Sequence, residues 1–182
     1  MTEVNLFSEF SKEDGHWMRE VLKLAEKGRG QVSPNPMVAA LIVKQGEIVG
    51  KGFHARYGGP HAEAIALADA RGKTDGAILY VNLEPCVHFG RTPPCAEQIV
   101  KARIRRAVIA TEDPDRLVNG RGIEYLRRAH LKVDLEARND PRWKTRNTLR
   151  SFTVDNRRPG AELFTQAQGR VGRRDGGCGY HS

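Results

Sequence analysis

No stretch of the sequence approaches the ~18 consecutive apolar residues of a membrane span, so no membrane partner is expected. Met1 to Phe10 contains two acids and no base. It lacks the basic start of a signal peptide and the Arg-rich, acid-poor character of a transit peptide. A cytoplasmic location is the resulting expectation. Cysteine is scarce, with three in 182 residues. Cys86 and Cys95 lie close together, and Cys178 sits alone in a Gly/Arg-rich stretch. In a reducing compartment such a pair points to metal binding or catalysis rather than a disulfide. No internal repeat is visible. No Gly-rich dinucleotide fingerprint occurs, so neither reduction nor NADPH is expected.

What is present fits one domain, or one domain with an appendage. The hydrophobic fraction of 39% and charged fraction of 29% are those of a globular protein. The net charge of +8 suggests nucleic acid until its location is examined. Residues 141–182 hold nine Lys/Arg against three Asp/Glu, so residues 1–140 are nearly balanced. A nucleic-acid binder usually carries its basic patch on the folded face, and nucleic acid is therefore not expected as a partner.

Along the chain, Ser11-Lys12-Glu13-Asp14 is a capping-box pattern. It starts a helix over about 12–27, with Gly28 as its C′ residue. Trp17 on this helix is expected to pack. Val38 to Val43 and Glu47 to Phe53 read as two strands joined by a tight turn at Gln45-Gly46. The first is apolar on both faces and should be covered on both sides by helices. His61 to Arg71 suits a buried helix, and Ala77 to Leu83 a strand. Thr92 is the expected N-cap of a third helix, with proline at N1, running to about Ala102. Ala107 to Ala110 reads as a strand, Gly122 to Ala129 as a helix, and Leu131 to Leu135 as a strand. Trp143 to Phe152 suits one more helix. This alternation predicts a three-layer α/β/α sandwich on a mixed sheet of about five strands. The folded body is expected to span residues 1–152. Residues 153–182 form a basic tail too poor in apolar residues to pack.

The chemistry-bearing residues cluster at predicted element ends. His61, Cys86 and Cys95 are candidate protein ligands for a catalytic zinc, which needs three ligands and an open position. Residues two apart in mid-helix face apart. His61 and Glu63 can therefore share a site only at a helix start, and Gly58-Gly59-Pro60 supplies such an entry. Cys86 follows a strand, and Cys95 falls in the first turn of a helix, where a thiolate is favoured. Zinc held there activates water. Glu63, near the ion but not on it, is the candidate acid/base that moves protons to a ring nitrogen and a leaving amine. Zinc nucleobase deaminases use this arrangement, with an H-x-E…P-C-x-x-C pattern. Here eight residues, not two, separate Cys86 from Cys95.

That longer loop, Leu83-Glu84-Pro85-Cys86-Val87-His88-Phe89-Gly90-Arg91-Thr92-Pro93-Pro94-Cys95, resembles the zinc loop of the riboflavin-biosynthesis pyrimidine deaminases. Three further stretches agree in order: Ser33-Pro34-Asn35-Pro36-Met37-Val38, Gly58-Gly59-Pro60-His61-Ala62-Glu63, and Asn119-Gly120-Arg121-Gly122-Ile123. The resemblance covers about residues 12–152. It implies a cytidine deaminase-like fold and a phosphorylated pyrimidine substrate, 2,5-diamino-6-ribosylamino-4(3H)-pyrimidinone 5′-phosphate. It also implies substrate contacts at Asn35, His54, His88, Arg91 and Asp113, and a homo-oligomer. In this family the deaminase is usually joined to a reductase. Arg157-Arg158-Pro159 resembles the start of that connection, so a separate reductase chain is a further expected partner.

Two positions depart from the family pattern. Asp115 replaces the asparagine of the usual Asp-Pro-Asn, and Val87 replaces a serine. Like charge from an inward-facing Asp115 weakens phosphate binding. Two alternatives therefore stand beside the main expectation. One is a deaminase of an unphosphorylated or secondary-metabolite pyrimidine, and the other is a nucleic-acid-associated deaminase using the basic tail.

Overall fold

The computed structural model describes residues 11–89, 93–115 and 118–135. The expected helix over 143–152 and the tail from 153, with Cys178, lie outside these residues.

The first helix, α1 (Lys12–Ala25), begins with the expected capping box. Ser11 Oγ accepts from Asp14 N–H, and the Asp14 carboxylate accepts from Ser11 N–H. It does not end at a glycine C′ residue. Glu26 is its C-cap, and the chain tightens into a 3-10 turn at Glu26–Gly28. Gly28 is required there for space, because a Cβ would stand 2.5 Å from the His54 carbonyl oxygen.

The hairpin β1 (Ala39–Lys44) and β2 (Glu47–Phe53) turns through Gln45 and Gly46, both at positive φ. After it come α2 (Ala62–Asp69), β3 (Ile78–Val81), α3 (Cys95–Lys101), β4 (Arg106–Ile109), α4 (Arg121–Arg128) and β5 (Lys132–Leu135). The sheet order is β2-β1-β3-β4-β5. β1 runs antiparallel to both its neighbours, and β3, β4 and β5 are parallel. This is the expected mixed five-stranded sheet. Proline does not take the N1 position of α3; Pro94 is its N-cap. Thr92 lies outside the described residues.

Strand alternation sorts the core into two layers. Ala40, Ile42, Leu79, Val81, Ala107, Ile109, Val133 and Leu135 pack with α2, α3 and α4. Ala39, Leu41, Val43, Tyr80 and Val108 face α1, where Met18, Val21 and Ala25 meet them. Trp17 packs at the margin of this second layer, as expected.

Two features set the position of α2. It lies directly on the backbone of β2: a Cβ on Gly52 would stand 2.3 Å from the Ala62 carbonyl oxygen, and one on Gly50 2.3 Å from that of Ala66. Small residues at Ala62, Ala66 and Ala70 complete this close approach. The start of α2 is thereby held against the backbone of the sheet.

The other face carries a buried ionic cluster. Asp14 accepts a two-pronged pair of hydrogen bonds from Arg106, at 2.8 and 2.9 Å, and a third from Tyr80 Oη at 2.8 Å. Arg106 also donates Nε–H to Asp134. One guanidinium thus ties α1 to β4 and β5, in the bidentate geometry that arginine favours.

Candidate active site

His61 is the N-cap of α2, with extended backbone (φ −72°, ψ 155°), and Glu63 is in that helix's first turn. The irregular entry turns both side chains toward one point, as two mid-helix residues could not. Cys86 arrives from the loop after β3, and Cys95 is the first residue of α3. The two cysteines are locked by backbone: Cys95 N–H donates to Cys86 Sγ at 3.4 Å, and Ala96 N–H to the Cys86 carbonyl at 3.1 Å.

His61 Nδ1 lies 3.5 Å from Cys86 Sγ and 3.4 Å from Cys95 Sγ, and the three ligand atoms lie within 4.8 Å of one another. Bonds from zinc of about 2.3 Å to sulfur and 2.1 Å to nitrogen put adjacent corners of a tetrahedron roughly 3.6 Å apart. One imidazole and two thiols at this spacing fit zinc with a fourth position left open.

The three groups also perturb one another's titration. The neighbouring Cys95 thiol and the His61 imidazole hold the Cys86 thiol well below its usual range, against the opposing effect of burial. The same pairing pushes Cys95 up, with burial adding to it. His61 is raised, first by its hydrogen bond to Cys86. Glu63 is buried at 4% exposure, and burial pushes its carboxyl up to about 7 despite a backbone hydrogen bond and the nearby His61.

A cleft of about 220 Å³ opens beside the triad. Glu63 lines it, together with Asn35, His54, His88, Asp113 and Asp115. The structure therefore brings four of the five expected substrate contacts to one cavity, and the fifth, Arg91, lies outside the described residues. His54 is buried, its Nδ1 3.0 Å from the Pro60 carbonyl. That carbonyl can only accept, so Nδ1 carries the proton. Nε2 then accepts from Asn35 Nδ2 at 3.2 Å. His88 is exposed at the rim. The Asp113 carboxyl is raised, mostly by burial and further by the Asp115, Glu84 and Cys86 charges. Asp115 does face the cleft, and no Lys or Arg is present among the described lining residues. Val87 packs at the edge of the apolar layer beneath the helices, which accounts for an aliphatic side chain there.

Two residues that sequence reasoning passed over hold this geometry. Asn82, 1% exposed, accepts from Ala39 N–H and donates to the Met37 carbonyl, fixing the loop that carries Asn35. Glu84, 3% exposed, accepts four backbone N–H bonds, one from Asp113 in the lining of the cleft and three from the start of α4. Only their polarity within otherwise apolar strand-end sequence hinted at a special role.

Comparison with known proteins places these features. The family described as the cytidine and deoxycytidylate deaminase zinc-binding region matches residues 11–111. Riboflavin biosynthesis protein RibD of Aquifex aeolicus (strain VF5) is 52% identical over 122 residues, covering 67% of this chain and 34% of that protein. Among solved structures, RibD of Acinetobacter baumannii superposes with a TM-score of 0.69 at 42% identity, covering 79% of this chain and 40% of that one. A Thermotoga maritima diaminohydroxyphosphoribosylaminopyrimidine deaminase/5-amino-6-(5-phosphoribosylamino)uracil reductase has a TM-score of 0.67 at 41% identity, covering 76% of this chain and 39% of that one. The chain spans about a third of the length of the curated relatives it matches. Among the described residues, no helix is long and apolar enough to cross a membrane.

Proposed function

Because the chain belongs to the cytidine and deoxycytidylate deaminase family, whose metal is zinc, we propose that it hydrolyses the 2-amino group of 2,5-diamino-6-ribosylamino-4(3H)-pyrimidinone 5′-phosphate. The observation that carries this proposal is the buried Glu63 carboxyl in the lining of a cleft beside the zinc-shaped His61–Cys86–Cys95 triad. The high identity to RibD proteins over two thirds of the chain supports the choice of pyrimidine.

His61, Cys86 and Cys95 hold the zinc, which when bound supplies Lewis-acid activation of the attacking water. Glu63 moves the protons. Its carboxyl exchanges a proton near neutral pH, the range in which a general acid/base is most effective. It takes one from the attacking water, and delivers protons to the ring nitrogen and to the amine. The C–N bond breaks, ammonia leaves, and a carbonyl remains at C2. Asn35, oriented by His54, and Asp113 hold the pyrimidine edge through donor and acceptor groups, with His88 at the rim. Arg91 is the proposed phosphate contact. The deaminase domain occupies residues 1–152, in an oligomer located in the cytoplasm, and a reductase takes its product.

The test is ammonia release from a panel of pyrimidines with zinc measured on the same samples. The diaminopyrimidine phosphate is expected to be turned over fastest. No turnover of any pyrimidine by zinc-loaded protein overturns the proposal.

One observation favours a second reading. Asp115 and Asp113 put two carboxylates in the lining of the cleft, and a carboxylate repels a phosphate of like sign. A dephosphorylated or neutral pyrimidine suits that lining better. Comparing rates on the phosphorylated and dephosphorylated substrate decides between the two, and a strong preference for the phosphate removes the second.

A further inference from the structure

Glu84 is a buried acid that none of the proton-transfer steps uses. Its carboxylate has no cationic partner among its described hydrogen bonds. Instead it accepts four backbone N–H groups: Oε1 from Gly122 at 2.7 Å and Ile123 at 3.1 Å, Oε2 from Gly120 at 2.8 Å and Asp113 at 3.0 Å. Three of these donors belong to the start of α4, whose N-cap is Gly120 and carries no side-chain cap. Glu84 therefore caps a helix from another segment of the chain, satisfying N–H groups that the helix cannot. Its charge also sits at the positive end of the helix dipole. The fourth donor is the backbone of Asp113, in the far wall of the cleft. Close approach is built in, since a Cβ on Gly122 would stand 2.1 Å from the Pro85 carbonyl oxygen.

We infer that Glu84 is a positioning residue for substrate binding: it joins the cysteine-bearing loop to the far wall and sets where Asp113 stands in the cleft. The inference rests on the deaminase reading but on no particular pyrimidine. Glu84 acts on the far wall because the metal side is held independently. Cys86 is fixed by the Cys95 and Ala96 amides, and His61 and Glu63 by α2 against β2. Loss of Glu84 should therefore loosen binding more than the chemical step.

Glu84→Gln replaces one acceptor oxygen with an NH₂ group that faces two N–H donors, breaking two of the four bonds. Steady-state kinetics on whichever pyrimidine the wild type turns over fastest, normalised to folded, zinc-loaded protein, test the inference. KM is expected to rise about tenfold or more, kcat to stay within about threefold, and zinc to remain at the wild-type stoichiometry. Gly122→Ala, which lifts α4 from Pro85 without removing a polar group, should reproduce the KM rise. Arg128→Ala, at the exposed end of the same helix, should leave KM unchanged. Glu84→Asp keeps the charge on a shorter arm and serves if the Gln variant does not fold; its KM should fall between wild type and Gly122→Ala. A Glu84 variant that only melts earlier, with KM within twofold of wild type, overturns the inference and leaves the deaminase proposal standing. A wild type inactive on every pyrimidine ends both.

Discussion

Two buried carboxylates stand in the first turns of helices on opposite faces of the sheet, and they are treated in opposite ways. Asp14, in α1, is 1% exposed. Burial pushes its carboxyl up, but hydrogen bonds from Arg106, Ser11 and Tyr80 more than offset that and leave it below its ordinary value. Glu63, in α2, is buried to a similar degree, and there burial wins. The difference lies in the neighbours. Asp14 meets a guanidinium and a phenol; Glu63 meets a cleft and a cysteine pair. A buried acid surrounded by donors is a fastener, locked in its charged form. A buried acid short of donors exchanges its proton close to neutrality, which is what proton transfer requires. Glu84 is a third case, satisfied by peptide N–H groups alone.

The comparison can be broken most severely at Glu63. Glu63→Ala should reduce ammonia release about 1,000-fold or more while zinc content is unchanged. Turnover at the wild-type rate would remove Glu63 from the mechanism. Next in size is the metal itself: Cys95→Ser should lose most of its zinc and its activity, since each ligand contributes to affinity and to folding. Metal analysis after dialysis reads this directly, and activity restored by excess zinc separates weak binding from misfolding.

Arg106→Ala strikes the other face. It leaves Asp14 buried without its charge partner and should cost about 3 kcal/mol in urea unfolding, with kcat/KM per folded molecule unchanged. A large kinetic effect would mean that the two faces are not independent. The pH dependence follows from the sign of the Asp14 shift. A carboxyl lowered on folding stabilises the native state above its unfolded pKa of about 4, and that stability is lost as pH falls through the lower, folded value. Asp14→Asn should therefore be less stable than wild type at pH 7, and the gap should narrow toward pH 3. The smallest expected effect is at the cleft wall. Asp115→Asn should raise the preference for phosphorylated over dephosphorylated substrate by roughly threefold, since an exposed charge is screened by solvent. No change would place the phosphate elsewhere.

Much of the fold was legible because the signals are local. The capping box at Ser11–Asp14, the Gln45-Gly46 turn and the α/β alternation each depend on residues within a few positions of one another. The misses are also instructive. Gly28 looked like a helix stop and is instead a point of close contact with the His54 backbone, a neighbour far away in sequence. Pro94 reads as part of the first helical turn and lies just outside it. The glycines of β2 gave no local hint that a helix of alanines lies on them.

By itself the sequence determined the ligand types, their order, and the loop length between the two cysteines. These are properties of the covalent chain, and they suffice to name a zinc site and a family resemblance. Only the tertiary structure decided which acids are fasteners and which is free to exchange a proton. Burial and charge pairing arise between segments that the chain brings together from afar. Asp14 finds Arg106 across 92 positions, and Glu84 finds the start of α4 across more than 30. Glu63 has only the nearby His61 to favour its charge, burial outweighs that, and this environment, invisible in a list of residues, is what fits it for catalysis.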